Sequence, residues 1–243
     1  MTESERPAFY ALRRGGWRDY WTLLHPPYTI WHLSYVAIGA SVAQEVDMQY
    51  LAESLAGFFL AVGLAAHALD ELRGRPLRTG IGDGVLWTIA ALGLSGAAGL
   101  GVHGMVVVSP WFAAFIGTGA FLVLAYNLEL FGGAFHTDLW FALGWGAFPA
   151  LTGAFAQSGR VTFAAAAVAL ACTAMSGAQR ALSTPVRRLR RQAVAVAGTV
   201  TLSDGTRELL DAAALRSAPE RALRLLSLAM PLLAAGLLAV RGG

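Results

Sequence analysis

In His67-Ala-Leu-Asp70-Glu71 an imidazole and two carboxylates stand at positions i, i+3 and i+4. On a helix that spacing gathers side chains to one side. Such a set can hold a cation or pass protons. It follows directly on an apolar run, where ionisable groups are costly and mark function. A solvated helix end, its acids answering Arg73 and Arg75, is the plainer alternative. Arg73-Gly-Arg-Pro-Leu-Arg-Thr79 comes next. Guanidinium forks match phosphate oxygens bidentately, and the same arginines also suit an ordinary cationic loop. A second polar stretch, Asn127-Leu-Glu-Leu-Phe-Gly-Gly-Ala-Phe-His-Thr-Asp138, links two further apolar runs. Gly132 and Gly133 relax its backbone, so Glu129, His136 and Asp138 can turn back towards the first cluster. Asn127 and Asp138 can equally cap helix ends. His25 and His32 flank the start of the first apolar run, and an aromatic interface belt with Trp31 and Tyr35 also accounts for His32. His103 reads as a hydrated loop residue on the opposite side.

The elements that must hold these groups are helices in a bilayer. Of the 243 residues, 56% are hydrophobic and 14% charged, against roughly 25% charged in soluble domains. Mean hydropathy is +0.55. All 18 basic residues are arginine, which excludes Schiff-base chemistry with retinal or pyridoxal phosphate. The single cysteine, Cys172, allows no intrachain disulfide or cysteine-rich metal site and reads as a small buried hydrophobe.

Stretches near the length of a membrane crossing fall at 28–46, 50–70, 84–103, 105–127, 138–157, 161–181 and 223–240. They predict an all-α, polytopic transmembrane bundle of about seven spans, its Gly and Ala allowing close packing. The third and fourth spans part near His103–Gly104, and Pro110 kinks the start of the fourth. Arginines cluster before the first span and after the second and sixth, which makes the N-terminus cytoplasmic and, for an odd number of spans, the C-terminus external. Residues 1–27 show no secretory signal and read as a cytosolic amphipathic arm lying on the membrane through Tyr10, Trp17, Tyr20 and Trp21. Residues 28–181 form the membrane core, 182–222 a cytosolic loop with a hairpin at Ser203-Asp-Gly205 and a short amphipathic helix, and 223–243 the last span. A re-entrant or tilted segment at 192–202 is the alternative there.

The placement of these motifs resembles the UbiA superfamily of intramembrane prenyltransferases over about residues 22–185. His25-Pro-Pro-Tyr28 stands where that family has a short Arg/His-Pro element. Ala65 to Thr79 stands at its first aspartate motif, and Tyr126-Asn127 in its tyrosine-bearing link. The resemblance implies prenyl transfer from an isoprenoid diphosphate. Asp70 and Glu71 would bind Mg2+, with His67, Glu129, His136 and Asp138 beside them. Arg73, Arg78, Arg180, Asn127 and Tyr126 would take the diphosphate, and Trp31, Tyr35, Trp140 and Trp145 would wall the pocket. The chain departs from the pattern in two places. Gly74 and Arg78 replace later acids of the first motif, and Ser176-Gly-Ala-Gln-Arg-Ala-Leu-Ser-Thr-Pro185 carries no second acidic motif.

Two other readings stay open. His25, His32, His67 and His136 fall on one side and could serve a zinc- or iron-dependent membrane hydrolase or oxidoreductase. Alternatively the fold is a non-catalytic lipid-binding or assembly protein that meets its partner through 182–222. The expected partners are an isoprenoid or other lipid and the membrane lipids, with no nucleic acid; the sequence implies no oligomeric state.

Overall fold

The structure, a computed structural model, describes residues 6–242. Helices dominate it, and side-chain caps set several of their starts. Asp47 accepts from the amides of Gln49 and Tyr50, Thr137 from that of Trp140, and Thr162 from that of Ala165. A short helix α1 (Trp17–Leu23) leads into α2 (Pro26–Ala40), which Pro26 opens at a position where its missing N–H costs nothing. There follow α3 (Met48–Leu72), α4 (Asp83–Val107), α5 (Phe112–Asn127), α6 (Asp138–Ser158) and α7 (Phe163–Arg191). An antiparallel hairpin, β1 (Gly198–Thr201) with β2 (Arg207–Leu210), precedes α8 (Ala212–Gly242).

Helices α3, α4, α6 and α8 are each long and apolar enough to cross a membrane, and α5 is a shorter apolar helix. The chain thus has the helices of an integral membrane protein.

The central packing is α2 against α6 and α8. Gly39 of α2 faces the Ala150 carbonyl of α6, and Gly153 of α6 faces the Val36 carbonyl of α2; a methyl group at either position would overlap that oxygen. Small residues let backbones approach where lipid supplies no hydrophobic drive between helices. Trp31 and Tyr35, both 0% exposed, pack with Cys172, Leu223 and Met230 of α7 and α8, and the Trp31 indole donates to the Tyr35 hydroxyl at 2.6 Å. They are core residues, not the pocket wall expected of them, because α8 covers that face of α2.

Several boundaries differ from the sequence reading. Helix α4 runs through His103 to Val107, and the turn before α5 is Val108–Trp111, at Pro110. His103 therefore lies on a helix, where its Nδ1 meets Glu53 Oε2 at 2.9 Å. Helix α7 continues through Pro185 to Arg191, so residues 182–191 are helix and not loop. The hairpin forms around Asp204-Gly205, with Gly205 at φ 85° and the Thr206 amide donating to Asp204 Oδ1 at 2.8 Å. Helix α8 begins at Ala212, merging the amphipathic stretch and the last span.

Two of the helices that carry site residues contain π-helical turns, Phe59–Ala66 in α3 and Leu143–Ala147 in α6. Such turns re-aim the residues beyond them and occur often at functional sites. Here they lead into His67 and Asp70 and contain Trp145.

Candidate functional site

The site forms at one end of the bundle, where the loops after α1, α3 and α5 meet the C-terminal half of α7. Every non-glycine residue with a positive φ among the described residues lies in these loops: His25, Arg75, Arg78, Glu129 and Phe131. Held strain of this kind clusters at functional sites. His25 is the sharpest case, left-handed at φ 46° directly before Pro26.

The two acids of the first motif separate. Glu71, 0% exposed, turns into the loop after α3 and accepts from the Leu77 amide at 2.9 Å, the Thr79 amide at 2.8 Å and the Thr79 hydroxyl at 2.8 Å. It is a structural anchor. Asp70 accepts no side-chain hydrogen bond among the described residues and faces Arg187, Arg191 and His136. Magnesium takes carboxylate oxygens together with substrate phosphates. Both Glu71 oxygens are engaged by the loop and its side chain is fully buried there, and no group of three or more His, Cys, Asp or Glu able to hold a metal ion occurs among the described residues. The pair Asp70 and Glu71 does not fit the magnesium seat that the resemblance implied.

Other expected site groups pair at the rim. Glu129 meets Arg73 at 3.0 Å, tying the loops after α3 and α5 together. Asp138 meets Arg180 Nε at 2.7 Å, while Thr137 takes the helix cap that Asp138 was expected to supply. Arg75 pairs with Asp83. Arg78 is exposed on its loop. Asn127 is buried and donates to the Val123 carbonyl of its own helix at 2.7 Å.

The histidines stack instead of converging on a metal. The His25 and His67 rings lie 4.0 Å apart, and His136 stacks on Tyr126 at 4.4 Å. His32, His67 and His136 each set Nδ1 against a backbone carbonyl, of Trp145, Gly63 and Tyr126 respectively. A carbonyl only accepts, so in each case Nδ1 carries the hydrogen.

Sequence reasoning missed several groups here. Tyr10 is not exposed as Trp17, Tyr20 and Trp21 are, at 45–65%. The arm folds inward, and Tyr10 sits 5.3 Å from His25 and 5.5 Å from Tyr28, ring to ring. Arg190 and Arg191 pin the arm by donating to the carbonyls of Arg6 and Pro7 at 3.1 and 3.2 Å. Burial pushes the Tyr10 hydroxyl well above its ordinary pKa, and it pushes His25, with His67 next to it, well below the usual histidine value. Arg187 and Arg191 were legible only as loop charges. Reading α7 as unbroken would have placed them one and two turns beyond Ser183, on the flank that also carries Gln179.

No family model, no curated protein and no solved structure matches this chain.

An apolar groove lies between α3, α4, α5 and α6, lined by Phe58, Leu122, Trp145 and Phe148 and reaching Phe112 and Tyr50 away from the polar end. Trp145 joins the two regions. It lines the groove, contacts Tyr126 at 4.5 Å and stacks on Phe141 at 5.7 Å.

Proposed function

We propose that this chain is a UbiA-like membrane enzyme that acts on an isoprenoid diphosphate and transfers the prenyl group to an acceptor. One observation carries the reading: Trp145 lines an apolar groove and also contacts Tyr126, at 4.5 Å between ring centres, within a cluster of arginines and tyrosines at one end of the bundle. A polar head and a long apolar tail suit that combination. In the reaction the allylic C–O bond breaks and its electron pair leaves with the diphosphate. Arginines at the pocket receive that charge. The acceptor forms the new bond to the prenyl carbon and gives up a proton. Asp70, which accepts no side-chain hydrogen bond among the described residues, is the base we assign, and His67 stands one turn below it. Tyr126, whose hydroxyl is buried without a partner, is placed to hydrogen-bond the leaving group.

In this reading the chain crosses the membrane seven times, with α2, α5 and α7 completing the four longer spans. The arginine-rich pocket end faces the cytoplasm of a cytoplasmic membrane, as the charge distribution favours. Purified protein, or membranes containing it, given a prenyl diphosphate and candidate acceptors should release inorganic pyrophosphate. Asp70→Asn should abolish the release; turnover that survives this change would remove the reading.

The exposed hairpin favours a second reading, an assembly protein. Val194 and Leu209 are 101% and 82% exposed there. Deleting 193–211 should then abolish partner capture, and the intact chain should release no pyrophosphate.

A further inference from the structure

The stretch after the sixth span, without carboxylates in the sequence, is a cationic wall in the structure. Along α7, Ser176, Gln179 and Ser183 are buried, and Arg187 and Arg191 stand beyond them at the pocket end. The arginines of this helix have different duties. Arg180 is committed to Asp138 and stands over the Phe141 ring at 5.3 Å. Arg190 is committed to Glu220, with Nη2 at 2.9 Å from Oε2, and to the Arg6 carbonyl.

Arg187 and Arg191 meet only neutral partners among the described residues. Arg187 reaches the Thr184 hydroxyl at 3.4 Å, and Arg191 the Pro7 carbonyl at 3.2 Å. Both face Asp70 and Tyr10, and Arg187 also faces Tyr28 and Tyr126. With Glu71 held by its loop, Asp70 is the carboxylate these two guanidiniums share. Half-buried guanidiniums with no carboxylate of their own are suited to take an anion.

Two polar atoms are also buried at this site without a hydrogen-bond partner, the Tyr126 hydroxyl and His25 Nε2. Groups of this type are satisfied by a ligand or by water. Guanidinium forks and a phenol O–H are donors matched to phosphate oxygens. The fold family would supply that charge compensation with magnesium, and the donor set here does not fit it, because Glu71 is consumed by its loop.

We propose that Arg187 and Arg191, with the Tyr126 hydroxyl, bind the phosphate groups of the ligand directly and without a divalent cation. The ligand class is a phosphate or diphosphate ester. That its organic part is an isoprenoid rests on the function proposed above. The arm places Tyr10 over the same anion and closes the pocket on the aqueous side.

The test is equilibrium binding of geranylgeranyl diphosphate to the detergent-purified full chain, once with EDTA and once with magnesium. Inorganic pyrophosphate and phosphatidylglycerol serve as parallel ligands. We expect the same affinity within about twofold in EDTA and in magnesium. Arg187→Gln and Arg191→Gln should each weaken binding about 10- to 100-fold, as loss of a hydrogen bond to a charged group does. Arg160→Gln, on the far side of the bundle, should change nothing. Arg187→Lys keeps the charge and should lose less than Arg187→Gln, which separates anion binding from a folding defect.

Binding that requires magnesium would overturn this inference and leave the isoprenoid reading standing. So would EDTA-resistant binding that both glutamine variants retain. Binding of pyrophosphate or phosphatidylglycerol alone, lost in the same variants, would support the arginine site and remove the isoprenoid. No binding of any of the three would overturn both.

Discussion

Neighbouring acids on a helix point about 100° apart, and that angle divides Asp70 from Glu71. Glu71 enters the loop and holds three donors, while Asp70 stays in the pocket. The two should therefore fail differently. Asp70→Asn should lower product formation at least about 100-fold, the range of a lost general base, with little change in the thermal midpoint. Glu71→Gln should cost about 1–3 kcal/mol of stability, read as a lower midpoint in detergent, because buried amides lose a charged acceptor. His25 gives a pH dependence. Burial, then His67, Arg191, Arg187 and His32, hold its pKa well below the ordinary 6.5. A group depressed in the folded state contributes stability that is present above its unfolded value and fades as pH falls towards the folded value. The midpoint should drop below about pH 6.5 in the native protein, and His25→Gln should flatten that drop. An unchanged slope would mean that His25 is not the group responsible.

At the scale of elements, helix crossings and helix phase govern the site. The α2–α6 crossing depends on Gly39 and Gly153, and Gly153→Val should cost about 1–3 kcal/mol or more through overpacking. Lost monodispersity on size-exclusion chromatography would report it, and tolerance of valine would mean that the helices are farther apart than described. Phase is set by the π-helical turns of Phe59–Ala66. Deleting Ala61 removes a residue from that stretch and rotates the C-terminal end of α3 by about 100°. The protein should still insert into membranes, while Asp70 swings off the arginine wall and pyrophosphate release is lost. Retained turnover would show that the π-helical turns carry no positional role.

The whole molecule is polarised. The arm, the strained loops, the hairpin and most arginines share one end, and the Glu53–His103 pair marks the other. Cys172 is buried, so single cysteines can report sidedness. A cysteine introduced by Ser203→Cys in the hairpin should react with a membrane-impermeant maleimide only in inside-out vesicles, and one introduced by Val106→Cys only in intact cells. The reverse pattern would invert the orientation and place the pocket outside.

Composition alone pointed to a bilayer, since 56% hydrophobic and 14% charged residues is the balance of an integral membrane chain. Runs of apolar residues also located the main helices, because their length is set by membrane thickness, but not the late start of α5, the end of α7 or the start of α8. Local turn chemistry placed the hairpin at Asp204-Gly205. The polar end was legible as a cluster containing His67, Asp70, Tyr126 and His136. What the sequence could not decide was which of those groups are spent on structure. Glu71, Glu129 and Asp138 read as site acids, and each is taken by a partner 6 to 56 positions away in the chain. Trp31 and Tyr35 read as pocket wall and are core, because nothing local announces that α8 covers them. Tyr10, Arg187 and Arg191 enter the pocket only because the arm folds back and α7 runs on past Pro185. Partnering between distant segments is a property of packing, and only the tertiary structure settles it.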